Sequence, residues 1–165
     1  MKIVSRIILI IVLGALGFWL WTVLFPSPEK VIRKQLAGLA NDVSFSQNEN
    51  NLVKLAHAQS VADFFTSTVE IDVNVPNHGE QMMAGRDQIT QAALASRQEA
   101  MDLKLTFPDV NVTVAPDKNS AVADVTVDAT ISGERDAVLQ EVKITFQKVE
   151  GKWLISKVES VPVVS

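Results

Sequence analysis

The 165-residue sequence contains no cysteine and no tyrosine. Without cysteine there is no disulfide framework, thiolate zinc site, iron–sulfur ligation, cysteine nucleophile or lipid-modified N-terminal cysteine. Without tyrosine, any active site lacks one common general acid and oxyanion donor. Histidine is scarce as well: His57 and His78 stand far apart and make no metal site. No glycine-rich phosphate loop, nucleophile elbow or HExxH helix is present. Basic charge is limited to 15 residues against 19 acidic ones, a net of −4 and a pI near 5.1. That balance argues against a nucleic-acid binder, which tracks phosphates with a basic surface.

What is present is unevenly spread. The chain is 47% hydrophobic and 21% charged, and its length fits one domain. Ile7 to Phe25 carries no charge, and as a helix it would rise roughly 28 Å, close to the hydrocarbon thickness of a bilayer. Lys2 and Arg6 precede it; Trp19, Trp21 and Phe25 cluster at its far end, and Pro26 and Pro28 stop it. This pattern predicts an uncleaved signal anchor marked by Ile7, Trp19, Trp21 and Phe25. A cleaved signal peptide is the rival, since Ala15 and Gly17 form a small-x-small pair. Cleavage there would leave an apolar tail in water, which favours the anchor. The expected arrangement is a short basic N-terminus (1–6), a transmembrane anchor (7–25), a Pro-rich linker (26–29) and a domain (30–165). The N-terminus is expected in the cytoplasm and the domain outside it, periplasmic in a Gram-negative cell.

Residues 29–165 hold 13 basic and 19 acidic residues, a net of −6. Ser27, Pro28 and Glu29 suit the start of a helix, and Ile32, Leu36, Leu39 and Val43 give it one apolar face. Polar residues 44–51 form a loop and a cap. A second helix is expected from about Leu52 to Phe65, with apolar residues almost all round its axis. The period then becomes two: Val69, Ile71, Val73 and Val75 alternate with Glu70, Asp72 and Asn74. A turn at 76–79 leads to a short return strand, and Gly85-Arg86-Asp87 opens a third helix to about Met101. The remainder reads as long strands, with Pro108 at a bulge or edge, a hairpin over Ser132–Asp136 and a last turn at Glu150-Gly151.

Two segments carry a resemblance to a known superfamily. Ala84-Gly85-Arg86-Asp87-Gln88-Ile89 looks like a glycine-led start of helix three. Lys148-Val149-Glu150-Gly151-Lys152-Trp153-Leu154-Ile155 looks like a final hairpin with a tryptophan after the turn. With the order of elements, residues 30–162 resemble the nuclear transport factor 2-like superfamily, which includes SnoaL-like and ketosteroid isomerase-like domains. The resemblance implies an α+β fold: three helices packed on a curved antiparallel sheet, forming a cone whose mouth can hold a small ligand. It also implies that the outer sheet face can serve a dimer or a partner. The fold hosts enzymes, binding proteins and scaffolds, so function must come from the site.

The candidate cavity residues are His57, Phe64, Ile71 and Trp153. His57 falls on an apolar side of the second helix, where it could act as a general base; a histidine held by one hydrogen bond is the plainer reading. Asp63 lies on another side and does not orient it. Glu70 and Asp72 share the wet face of their strand, so the isomerase branch's aspartate has no counterpart pointing into the cone. Asp124 and Asp128 read as a solvated strand face, and Met82 and Met83 as packing. Asn111-Val112-Thr113 matches a glycosylation pattern too short to weigh. No catalytic residue, metal or cofactor is assigned. The expected function is a membrane-anchored, non-catalytic accessory or assembly subunit. Its expected partners are the lipid bilayer and a membrane or extracytoplasmic protein, or a second copy through the sheet face. Binding of a small apolar ligand in the cone is the alternative, and SnoaL-like isomerase or hydratase chemistry comes third.

Overall fold

Ile32, Leu36 and Leu39 fall on one stripe of a helix and are its fully buried residues. That helix, α2 (Pro28–Val43), begins with Pro28, where the absent N–H costs nothing. Ser27 has N-cap backbone geometry but makes no cap bond. The backbone N–H of Glu29 and then the Ser27 hydroxyl hold the exposed Glu29 carboxyl below its ordinary pKa. α3 (Asn51–Asp63) is capped by Asn50, whose side chain accepts the Val53 N–H at 2.9 Å. It buries Ala58, Val61 and Ala62 while Leu52 and Leu55 stay exposed. The expectation of an element covered on several sides is therefore corrected: small residues set the contact, and one side is covered.

The coordinates are a computed structural model describing residues 2–24, 26–75, 79–99, 102–132 and 138–161; for residues 2–7, 9 and 21–24 it describes the backbone alone. Helix α1 (Lys2–Leu24) comes first and contributes nothing to the described core. After α3 come β1 (Phe65–Val75), β2 (Gly79–Ala84), α4 (Arg86–Glu99), β3 (Leu103–Val114), β4 (Ser120–Ile131), β5 (Val138–Val149) and β6 (Lys152–Ser160). Most of the expected turn at 76–79, the end of the third helix at Met101 and most of the Ser132–Asp136 hairpin lie outside the described residues.

The six strands form one curved sheet in the order β2-β1-β6-β5-β4-β3, an α+β arrangement. It is mixed, not purely antiparallel, because β1 runs parallel to β6, with Ile71 opposite Val158. Alternation along a strand reports which face is buried and carries no information on the neighbour's direction. Ala121, Ala123 and Val125 of β4, Val142, Ile144 and Phe146 of β5, and Trp153 and Ile155 of β6 meet α2, Val61 and Ile89 in one core. Pro108 sits where the β3–β4 register shifts between Thr106 and Asp109, a bulge on an edge strand. The last hairpin turns through Glu150 and Gly151, both at positive φ, as a two-residue turn with strand-matching twist requires.

The membrane reading is overturned. Among the described residues no helix is long and apolar enough to cross a membrane. Most of the uncharged run read as an anchor falls on α1. Trp19 belongs to that run; the side chains of Ile7 and Trp21, and Phe25 altogether, lie outside the described residues. The single-pass localisation that placed the N-terminus in the cytoplasm and the domain extracytoplasmically falls with it.

Candidate functional site

Two features concentrate polar chemistry on this scaffold. The first is a groove of about 490 Å³ between α2 and the edge strand β3. Leu36, Ala37 and Ala40 form one wall and Leu105, Phe107 and Val110 the other. Arg33, Asn41, Ser44, Lys104 and Thr106 supply its polar groups. The groove exists because Ser44, at the C-cap of α2, ties the helix to the strand. Its hydroxyl accepts the Leu105 N–H at 3.0 Å and donates to the Ala40 carbonyl at 2.6 Å. One residue on, Phe45 and Leu103 exchange backbone bonds of 2.9 and 3.0 Å. Away from this tie the helix and the strand leave the space open. Both strand edges facing the groove at Leu103 and Leu105 are thus already paired, and the bulge at Pro108 blunts the edge beyond.

The second feature is a buried charged cluster where the α2–α3 loop meets α4. Arg97 is 2% exposed. Its guanidinium donates to the carbonyls of Asp42 and Ala93. It also faces Glu49 at 3.8 Å and lies over the Phe45 ring. Burial lowers its pKa from the ordinary arginine value, an effect that Glu49 and then Asp42 oppose. Guanidinium is nonetheless protonated throughout the accessible pH range. Its bonds are to backbone carbonyls from two elements, so its work is to hold the loop.

His57 belongs to this second neighbourhood. Its Nδ1 lies 3.7 Å from Asp42 Oδ1, beyond hydrogen-bond distance, and has no hydrogen-bond partner among the described residues. The side chain is 33% exposed. Trp153 is a core residue instead, its carbonyl accepting from Gln35 Nε2 at 2.6 Å and its ring lying 5.8 Å from Lys148 Nζ. Phe64 and Ile71 pack against the same core, with the Phe64 ring close to Gly38. So Phe64, Ile71 and Trp153 come together, His57 stands apart, and none of the four lines the groove. Glu70 and Asp72 are exposed while Val69 is fully buried. Among the described residues no group of three or more His, Cys, Asp or Glu side chains could hold a metal ion.

Sequence reasoning missed the groove and Arg97. The α2 stripe marks only the buried face, and the groove residues Ala37, Ala40 and Asn41 lie beside it as ordinary helix surface. Arg97 stands between Ser96 and Gln98, in a stretch with no apolar signal.

No family model matches the chain, and no curated protein matches it. Solved structures do. A candidate aromatic ring hydroxylase from Novosphingobium aromaticivorans is similar over 82% of this chain and 88% of its own, at 14% identity and a TM-score of 0.63. A candidate scytalone dehydratase from the same organism is similar over 83% and 93%, at 15% identity and a TM-score of 0.60. An NTF2-like protein with a cystatin-like fold, again from that organism, covers 83% and 82% at 17% identity and a TM-score of 0.60. At these identities the likeness speaks for the fold alone: the chain has the cystatin-like fold of nuclear transport factor 2-like proteins.

Proposed function

We propose that this domain binds a small, mainly apolar molecule in the α2–β3 groove without transforming it. The observation that carries the reading is the groove itself. Its volume of about 490 Å³ lies in the usual range for small-molecule sites, and apolar side chains with a few polar groups line it. No histidine or carboxylate lines it, so it offers no general base. Of its two hydroxyls, Ser44 is committed to Leu105 and Ala40, and Thr106 has no histidine or carboxylate in the groove to activate it. Structural neighbours named for hydroxylase and dehydratase chemistry share the fold, but a fold does not transfer a reaction.

The partner-presenting reading has less to rest on. The outer sheet face exposes Asp124, Glu141 and Lys143 and carries a 3.1 Å Lys157–Glu159 pair. Interface cores are instead depleted in charge. Strand addition at β3 is disfavoured by the blunted edge.

The test is a fluorescence titration of the full chain with the neutral apolar probe N-phenyl-1-naphthylamine. Ala37→Phe and Ala40→Phe each place a ring in the groove from the helix wall. The expected result is saturable binding that both variants weaken at least tenfold, while Leu139→Ser, on an exposed part of β5, leaves it unchanged. Equal binding by the parent and both filled variants would sink the proposal.

A further inference from the structure

The charge on the groove runs against that of the domain around it. Residues 29–165 carry a net of −6, yet the charged residues lining the groove are Arg33 and Lys104, both cations. Neither forms an ion pair among the described residues. The two cations are not together. α2 rises about 16 Å between Arg33 and Ser44, and Ser44 is bound to Leu105, the neighbour of Lys104. Lys104 therefore marks the Ser44 end and Arg33 the far end, with Leu36, Ala37 and Ala40 between them.

Beside Lys104, the Ser44 end has further donors: Asn41 on the helix and the Thr106 hydroxyl two residues on in β3. Asn41 lines the groove less than one helical turn from Ser44, and its side chain makes no hydrogen bond to another described residue. An ammonium and an amide at one end of an apolar trough suit a ligand with an anionic head and an apolar body. We infer that the ligand is an amphipathic anion, a free monomeric molecule whose acid group lies between Lys104 and Asn41 while its apolar chain runs toward Arg33. This inference rests on the groove-binding reading and adds the class of ligand to it.

Burying the chain along the apolar wall supplies most of the affinity, since each methylene removed from water adds to it. The acid group then selects among apolar molecules of equal length, because Lys104 and Asn41 would otherwise face an uncharged neighbour.

Decanoate and 1-decanol separate the two contributions when each is used to displace N-phenyl-1-naphthylamine from the full chain. Decanoate is kept below its micelle-forming concentration so that free monomer is read. The expected result is that decanoate displaces the probe at a concentration at least tenfold lower than decanol. Lys104→Gln should remove that preference while leaving decanol unchanged, and Asn41→Ala should reduce it severalfold. Lys143→Gln, on the outer sheet face, should keep it within about twofold, and salt should weaken decanoate alone.

Equal displacement by acid and alcohol in the parent would overturn the anionic head while leaving groove binding intact. A preference removed by Arg33→Gln and not by Lys104→Gln would overturn its placement. Displacement that persists unchanged in Ala37→Phe would show that both ligands bind elsewhere, and the groove reading itself would fail.

Discussion

The guanidinium of Arg97, on α4, lies 5.1 Å from the centroid of the Phe45 ring, at the start of the α2–α3 loop. The same group donates to the Asp42 carbonyl at the end of α2, so one side chain holds both sides of the point where the chain leaves the helix. This buried cation is held by the two carbonyls it donates to and by the charge of Glu49, and removing it strands those partners.

Arg97→Met is expected to destabilise the domain by about 1–3 kcal/mol, because the Asp42 carbonyl loses a donor and the half-buried Glu49 loses its counter-charge. Lysine at the same position has no planar fork and should recover little. Combining Arg97→Met with Glu49→Gln should return part of the loss. Urea unfolding of the four proteins checks this, and a single variant as stable as the parent would contradict the account.

Ser44→Ala removes both the acceptor for Leu105 N–H and the donor to the Ala40 carbonyl. A part-buried strand N–H left without a partner costs about 1–3 kcal/mol. The loss should also appear in hydrogen exchange: the Leu105 amide is expected to exchange faster while Leu103, bonded to Phe45, stays protected.

Gly38 tests the contact between α2 and the end of α3. A Cβ there would meet the Phe64 ring at 3.3 Å. Alanine gains up to about 1 kcal/mol of helix propensity and crowds only that half-buried ring, so Gly38→Ala should be near neutral. Gly38→Leu has no such room and should cost about 1–3 kcal/mol. Thermal unfolding distinguishes the two, and a stabilised leucine variant would show that Phe64 moves freely.

His57 tests whether the second cluster takes part in binding. It does not line the groove, so His57→Gln should leave probe affinity within about twofold of the parent. Its 3.7 Å approach to Asp42 is partly exposed, and its loss should change stability by no more than about 1 kcal/mol. A tenfold loss of affinity would join the two features into one site.

Gly85 marks the turn from β2 into α4 with φ +79, and its N–H donates to the Val69 carbonyl at 2.9 Å. A Cβ there meets only ordinary contact with the Ser67 carbonyl. Gly85→Ala should therefore cost about 1–2 kcal/mol through backbone strain alone, read as a lower urea midpoint with an unchanged slope.

What could be read from the amino-acid order was whatever depends on near neighbours. The spacing of Ile32, Leu36 and Leu39 determined a helix and its buried face. Alternation from Val69 to Val75 and from Ala121 to Ile131 determined strands, and Glu150-Gly151 and Gly85 determined turns whose φ values only certain residues tolerate. Tertiary structure decided what joins residues far apart. The direction of β1 against β6 follows from the path through β2, α4 and the three strands between, which no alternation records. The groove depends on Ser44 finding Leu105 across 61 residues, and the burial of Arg97 on the Asp42 carbonyl 55 residues away. Local periodicity is written by the backbone's own repeat, whereas a site is written by which repeats come to lie side by side.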